Sequence, residues 1–328
     1  MGGERMNAEG KKRGFKRELI YIALPIILQN LLSAAVGSAD TLMLNYVGQN
    51  EMAAVSLANQ PQFVLNLFYM GLTSGTGIMM AQYLGSGDRE AAGSIFRLAL
   101  RLTAVISSAF AICTVCLPQM VMRIFTNDGS LIDIGSQYLR IVGITYLFMA
   151  FSQIYLVTLK TNRRVKSSSA FSICTLLINV FLNAVFIFGL FSLPQLGVTG
   201  VAIATLIARF AEMVFCLIDW KRSRLVSIRS AAHPGLGREY LKVTCPAMGQ
   251  GFVWGGAMAT LAAIMGHLGP EVVAANSIAS AIQNAATVAS FGLAEGGAIL
   301  LGNLMGKGKL AEAKTDAAIL LRISVGAG

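Results

Sequence analysis

The sequence predicts an all-α polytopic membrane protein made of two parallel-repeat six-helix lobes, the second of them incomplete. Three observations lead to this prediction. Hydrophobic residues make up 55% of the 328 residues and charged residues only 13%, whereas soluble domains carry roughly 25% charged residues. Long apolar stretches follow one another along the chain, and its first part recurs in its second half. Water is therefore not the main solvent of this protein.

Eight apolar stretches are long enough to cross the membrane, because a helix of about 20 residues spans the ~30 Å hydrocarbon core. A ninth begins near the end of the sequence. The predicted spans are 19–45, 52–80, 95–117, 134–159, 167–191, 198–220, 240–266, 272–304 and 311 onward. We expect a basic cytoplasmic segment at 1–18, an N-lobe at 19–220, a cytoplasmic connection at 221–238 and a partial C-lobe at 239–328.

The repeat fixes the relation between the two lobes. Residues 25–87 align with residues 246–308 at a constant shift of 221 positions and without a gap. Six predicted spans lie between equivalent positions. Because six is an even number, both copies enter the membrane from the same side, which indicates a pseudo-two-fold axis along the membrane normal and a cavity between the lobes.

The second copy stops early. Leu321-Arg322 match Leu100-Arg101 of the first copy, but only six residues follow them. Three further helices and most of a fourth would complete the repeat, so we expect the sequence to be a truncated copy of a twelve-helix protein.

The net charge of +10 arises from the loops and does not indicate nucleic acid. Basic residues cluster before span 1, between spans 4 and 5 and between spans 6 and 7, whereas the alternate connections carry only Arg123. This asymmetry is typical of the positive-inside rule. It predicts a cytoplasmic N-terminus and a multi-pass protein of the bacterial inner membrane.

A few polar residues inside the spans are candidates for function, because ionisable groups are costly within a bilayer. Asp40 lies eight residues before Gly48, or about 12 Å below the outer end of span 1. Asn179, Asn183 and Thr205 fall at a similar depth in spans 5 and 6. Oxygen ligands of this kind suit a hard cation such as Na⁺, and a desolvated carboxylate can carry a proton instead. The asparagines and the threonine can also serve only to join helices.

Other charged residues give weaker signals. Glu295 in span 8 falls where the first copy has Ser74, and is either a second titrating group or an acid at a helix interface. Arg209 and Glu212 are spaced to neutralise each other on one helix. The sequence contains no Walker motif, nucleophile constellation or metal motif, so we expect neither an enzyme nor a bound cofactor.

Several segments resemble the MATE (multidrug and toxic compound extrusion) family of transporters. These segments are LPIILQN at 24–30, ADTLM at 39–43, AAVSLANQ at 53–60, AQYLG at 81–85, AANSIA at 274–279 and GNLMG at 302–306. The resemblance implies twelve helices in two lobes, alternating access, and export of drugs or organic cations in exchange for Na⁺ or H⁺. It also implies a coupling-ion site at Asp40, Asn179, Asn183 and Thr205, where Asn183 replaces a second acid of the family pattern.

We therefore expect a monomeric secondary antiporter in the lipid bilayer, with a small-molecule drug or organic cation as its substrate. Two alternatives remain open at this point. One is a flippase for lipid-linked oligosaccharides from the same superfamily, for which basic residues should line the cavity. The other is a non-transporting or inactive truncated membrane protein.

Overall fold

The computed structural model describes residues 2–190, 194–226, 235–267 and 270–327, apart from some side chains within the helices. All of the described elements are α-helices, and no strand occurs in these ranges. In chain order the helices are α1 Gly2–Val47, α2 Gln49–Ala58, α3 Gln60–Ser86, α4 Arg89–Cys116, α5 Pro118–Arg123, α6 Gly129–Thr161, α7 Val165–Phe188, α8 Gly197–Ser223, α9 Leu236–His267, α10 Pro270–Gly306 and α11 Leu310–Ala327.

Local sequence signals explain several helix boundaries. Gly87 adopts a left-handed conformation, with φ of 85°, and ends α3, as glycine commonly does at helix C-termini. Asp88 then caps α4 by accepting a hydrogen bond from the Ala91 amide at 2.9 Å, which satisfies one of the free donors of the first turn. Asp128 caps α6 in the same way. Short polar turns therefore separate long apolar helices.

Six described segments are long and apolar enough to cross a membrane: Gly14–Gly37, Gln49–Ser86, Arg89–Cys116, Gly129–Thr161, Val165–Phe188 and Gly197–Ser223. They coincide with the first six predicted spans. The three later predicted spans fall on α9, α10 and α11, many of whose side chains lie outside the described part. The count of eight full transmembrane helices and a ninth stays a prediction.

Two details differ from the predicted elements. Predicted span 2 is interrupted at Asn59, between α2 and α3. Pro61 in the first turn of α3 accounts for the break, because proline has no backbone N–H with which to continue the hydrogen bonds of α2. The predicted N-terminal segment also continues the helix, since α1 begins at Gly2.

The helices pack into a bundle around three hydrophobic clusters. The first draws buried residues from all of α1 to α8, and includes the fully buried Leu65, Met122 and Tyr146. A second, among α3, α4, α6, α8 and α9, includes Phe96 and Tyr155. The third joins α1 to α10 and α11. These clusters connect the first six spans to the helices of the second copy.

Glycines let the two copies of the repeat approach each other at backbone distance. A β-carbon on Gly71 of α3 would lie 2.5 Å from the Cα of Met248 on α9, and one on Gly292 of α10 would lie 3.2 Å from the amide nitrogen of Ile27 on α1. The shift of 221 relates Gly71 to Gly292 and Ile27 to Met248. The two contacts are therefore equivalent under the repeat.

Two further glycine pairs obey the same relation. Gly75 lies against Thr244 while Gly296 lies against Ala23, and Gly85 lies against the carbonyl of Asn303 while Gly306 lies against the carbonyl of Gln82. In lipid, close approach of this kind replaces the hydrophobic effect as the main source of helix association.

The glycine contacts predict a position-specific effect on stability. Gly71→Ala should lower the thermal unfolding temperature, because the new β-carbon collides with the Met248 backbone and overpacking costs roughly 1–3 kcal/mol. Gly77→Ala on the same helix is the matched control: its β-carbon would meet only a Val157 methyl at 3.5 Å. Thermal unfolding of the two purified variants checks this, and equal unfolding temperatures would contradict the contact.

Candidate functional site

A polar cavity of about 560 Å³ lies among α1, α3, α6, α7 and α8. We call it the outer cavity. Eight of the fourteen lining residues carry a hydroxyl or side-chain amide group, and apolar side chains contribute much of the remaining wall. The lining residues are Ser33, Val36, Gly37, Asn59, Gln62, Phe63, Asn66, Tyr138, Thr175, Leu176, Asn179, Thr205, Ala208 and Arg209. Polar groups of this density between apolar helices mark a site for a polar or charged ligand.

The structure brings three of the predicted site residues together. The Asn179 side-chain amide donates a hydrogen bond to Thr205 Oγ1 at 3.4 Å, which joins α7 to α8. Asn183 donates in turn to Asn179 Oδ1, also at 3.4 Å. These amides share a face because they are four residues apart on one helix. Antiparallel packing of α7 on α8 then places Thr205 opposite them.

The three residues differ in their access to the cavity. Asn179 and Thr205 line it, whereas Asn183 is only 1% exposed and lies one turn further along α7. The Thr205 hydroxyl donates to the Val201 carbonyl at 2.9 Å, so its oxygen lone pairs remain directed away from its own helix. The arrangement presents oxygen atoms, together with the amide donor of Asn179, at one end of the outer cavity.

Asp40 is part of α1, but its side chain lies outside the described residues. The register of α1 relates position 40 to the residues that line the outer cavity. Ser33, Val36 and Gly37 line the outer cavity, and position 40 follows them at the i+7, i+4 and i+3 spacings that share a helical face.

Sequence reasoning missed an amide-rich wall on the opposite side of the outer cavity. Asn59, Gln62 and Asn66 all line it, and the Tyr138 hydroxyl donates to Asn59 Oδ1 at 3.2 Å. Their spacing of three and then four residues is the signal that could have revealed them, because it places three amides on one face of an otherwise apolar span.

A second, smaller cavity of about 260 Å³ adjoins the first. We call it the inner cavity. Both cavities share Ser33, Thr175, Leu176 and Arg209 as lining residues. The inner cavity additionally contains the charged side chains Lys160, Glu212 and Glu295. The cavity that contains Asn179 and Thr205 therefore adjoins one lined by two bases and two acids.

Each acid of the inner cavity has a basic partner. The Lys160 ammonium lies 2.7 Å from Glu295 Oε1, and the Arg209 guanidinium lies 3.0 Å from Glu212 Oε2. The pairing of Arg209 with Glu212 confirms that predicted neutralisation. Glu295, the candidate second titrating group, lines the inner cavity. Its partner there is Lys160, a pairing that the sequence did not indicate.

The donor set limits the chemistry of the site. Among the described residues, no group of three or more His, Cys, Asp or Glu side chains is arranged to hold a metal ion. Amide and hydroxyl oxygens bind hard monovalent cations and polar molecules weakly and reversibly. Weak, reversible binding suits transport better than permanent retention.

Comparisons with known proteins decide the family. The MatE family model matches residues 25–185 of the chain. The chain belongs to the MATE family. Members of this family are transporters and not enzymes, so the absence of a catalytic constellation in the sequence has a direct explanation.

Two curated relatives of this MATE chain are bacterial. The probable multidrug resistance protein NorM of Thermotoga maritima is 25% identical over 297 residues, covering 89% of this chain and 64% of NorM. The uncharacterized transporter YisQ of Bacillus subtilis is 30% identical over 240 residues, covering 71% of this chain and 52% of YisQ. The chain thus spans less than two thirds of the length of either relative.

Solved structures share the fold of this MATE chain. An outward-facing multidrug resistance MATE transporter of the MOP superfamily superposes with a TM-score of 0.84 at 20% identity, covering 94% of this chain and 69% of the other. A MATE structure in the straight conformation gives a TM-score of 0.86 at 19% identity, covering 95% and 70%. A MOP superfamily transporter from Pyrococcus furiosus, described as having a binding pocket of reverse polarity, gives 0.84 at 19% identity with coverages of 94% and 69%.

The buried ion pair of Arg209 and Glu212 on α8 predicts that replacing one partner destabilises the protein and that replacing both restores most of the stability. Glu212→Gln should lower the free energy of unfolding by about 3 kcal/mol, because it leaves the Arg209 guanidinium without its counter-charge in a low-dielectric site. Replacing both residues by methionine should recover most of this loss. Thermal unfolding monitored by size-exclusion chromatography checks both variants, and a double variant less stable than Glu212→Gln would contradict the pairing.

Proposed function

We propose that the chain is a secondary active antiporter that exports drugs or organic cations in exchange for Na⁺ or H⁺ by alternating access. The observation that carries this proposal is the outer cavity, which places Asn179 and Thr205 in a polar chamber inside an apolar bundle. Membership in the MATE family and the name of its relative NorM, a multidrug resistance protein, support the same function. No cofactor is required, because an ion gradient supplies the driving force.

The coupling ion binds at Asp40, Asn179, Asn183 and Thr205. Support comes from the hydrogen bonds that join Asn179 to Thr205 and Asn183 to Asn179, and from the register that aligns position 40 with the cavity-lining face of α1. Asp40 supplies the negative charge, while the amide and hydroxyl oxygens complete the cation's coordination.

Asn183 bears on which ion is used. The family pattern has a second acid at this position, and its loss weakens Na⁺ binding because affinity for hard cations follows the charge of the ligands. The same loss removes a like charge near Asp40 and so reduces the tendency of Asp40 to hold a proton. These two effects act in opposite directions on the choice between Na⁺ and H⁺.

The helices form two lobes related by a pseudo-two-fold axis, the N-lobe at 19–220 and the partial C-lobe at 239–328. The three pairs of equivalent glycine contacts support this arrangement, because a two-fold axis generates each contact twice. Pro25 within α1 and Pro246 within α9 also occupy equivalent positions. Rocking of one lobe against the other at these contacts would expose the cavity to each side of the membrane in turn.

The protein acts as a monomer in the bacterial inner membrane with its N-terminus in the cytoplasm. The clusters of basic residues in alternate connections support this orientation. The bacterial origin of NorM and YisQ supports the location.

The charges of the cavities argue against the flippase alternative. A pyrophosphate-linked substrate needs an excess of basic groups, but in the described lining Arg209 and Lys160 each face a carboxylate. The alternative of an inactive membrane protein is decided by efflux from the wild-type chain.

Replacing Asp40 tests the proposed function. Asp40→Asn should abolish ethidium efflux from proteoliposomes containing the 328-residue chain, because the variant loses the charge that binds the coupling ion. Imposing a Na⁺ gradient and a pH gradient in separate experiments identifies that ion.

Asp133→Asn is the matched control. Asp133 is an exposed acid near the start of α6, and its replacement should leave efflux unchanged. Efflux at the wild-type rate by the Asp40→Asn variant would contradict the assignment of this residue. Absence of efflux from the wild-type chain under both gradients would favour the alternative of an inactive membrane protein.

A further inference from the structure

The two ion pairs of the inner cavity differ in how firmly their acids are held. Arg209 and Glu212 belong to the same helix, and the Glu212 side chain is only 2% exposed. Lys160 and Glu295 come from α6 and α10, and the Glu295 side chain is 38% exposed. The Glu295 carboxylate is therefore the more accessible of the two acids to anything that enters the cavity.

The two bases also differ in how easily each can move away from its acidic partner. Lys160 is the penultimate residue of α6, which ends at Thr161, so its flexible stem can carry the ammonium group out to water at that end of the helix. Arg209 lies in the middle of α8, at least 12 residues from either end, or about 18 Å along the helix axis. Of the two bases, Lys160 is the one that can leave its partner without remaining inside the bundle.

We propose that the Glu295 carboxylate is a binding site for the ammonium group of an organic cation, and that Lys160 is the resident counter-ion that this ligand displaces. The inference deepens the proposed transport function and rests on it. Among the organic cations of the proposed function, it favours amphipathic amines, which have one protonated nitrogen and an apolar body.

The uncharged groups around Glu295 fit an ammonium ligand. Gln29 Oε1 and Ser172 Oγ are buried and have no hydrogen-bond partner among the described residues, and both residues line the inner cavity. An unsatisfied buried acceptor costs about 1–3 kcal/mol. The N–H groups of an ammonium ligand would supply the missing donors, together with a charge that matches Glu295.

The dimensions of the two cavities suit a ligand with a small head and a larger body. The inner cavity, at about 260 Å³, is smaller than the roughly 300–1,000 Å³ typical of sites for whole drug-sized molecules. It shares four lining residues with the outer cavity of about 560 Å³, where Val36, Phe63 and Leu176 provide apolar surface. The ammonium head would occupy the inner cavity and the apolar body the outer one.

Displacement of Lys160 has a mechanical consequence. The pair between Lys160 and Glu295 links α6 to α10 by a hydrogen bond of 2.7 Å. A ligand that takes Glu295 breaks this link between the first and second copies of the repeat. Ligand binding therefore favours a state in which α6 and α10 are apart. A ligand shifts a conformational equilibrium only when it binds one of the two states more tightly, and this displacement supplies such a difference.

Binding of dansylcadaverine, a fluorescent primary amine, to the purified 328-residue chain tests this inference. Lys160→Ala should bind the probe about tenfold more tightly than wild type, because a competing partly buried ion pair, equivalent to about one factor of ten, is removed. Glu295→Gln should bind about tenfold more weakly. The double variant should bind as weakly as Glu295→Gln alone, because Lys160 acts only through Glu295.

Two controls separate this result from general effects of charge or hydrophobicity. N-acetylated dansylcadaverine lacks the ammonium group and should bind all variants equally. Lys309→Ala removes one member of an exposed Lys309–Glu312 pair on α11 and should leave the affinity unchanged. Lys160→Met keeps the apolar stem and replaces the alanine variant if the latter fails to fold.

An unchanged or weaker affinity in Lys160→Ala, or an unchanged affinity in Glu295→Gln, would overturn the inference. Its failure can be told apart from failure of the proposed function. Ion-driven efflux together with a flat pattern of binding affinities overturns only the role of Glu295 and Lys160. The expected binding pattern without efflux overturns only the antiport function.

Discussion

Close approach of helix backbones at glycine is the constraint on which this structure depends. In a membrane, burial of apolar side chains against other apolar side chains contributes little net driving force, since lipid is equally apolar, and association relies on packing at short range. Gly71, Gly75 and Gly85 provide this packing on α3, and Gly292, Gly296 and Gly306 repeat it on α10. The same contacts bring α10 near α6, and so bring the Glu295 carboxylate within reach of Lys160. Packing of the repeat thus positions both walls of the inner cavity.

The polar side chains enclosed by this packing form a graded route. Amides and hydroxyls surround the outer cavity, and two acid–base pairs surround the inner one. An organic cation that moves from the outer to the inner cavity would first exchange its hydrating water for amide and hydroxyl dipoles. It would then reach the Glu295 carboxylate, which is already paired with Lys160. Exchange of one cation for another costs far less than creation of a buried unpaired charge. The proposed transport of organic cations would avoid a buried unpaired charge in this way.

Much of the fold could be predicted from the sequence because helix length and hydropathy are local properties. The first six spans coincide with described helices, and the spacing of Asn179 and Asn183, with Thr205 at a matching depth, anticipates their hydrogen-bonded group. The pair between Lys160 and Glu295 could not be predicted. The two residues are 135 positions apart, and Lys160 belongs to a basic cluster that the positive-inside rule already explains. The break at Asn59 could have been predicted from the sequence, since Pro61 disfavours a continuous helix.

We propose that the two cavities are water-accessible and that cationic amines occupy them. The most direct measurement is the labelling rate of Ser33→Cys by a membrane-impermeant maleimide, with the five native cysteines replaced. Ser33 lines both cavities, whereas Val105, 68% exposed on α4, provides a control cysteine on the outside of the bundle. We expect rapid labelling at position 33, which dansylcadaverine slows, and slow labelling at position 105, which dansylcadaverine does not change. Equally slow labelling at both positions, or no protection by the amine at position 33, would contradict it.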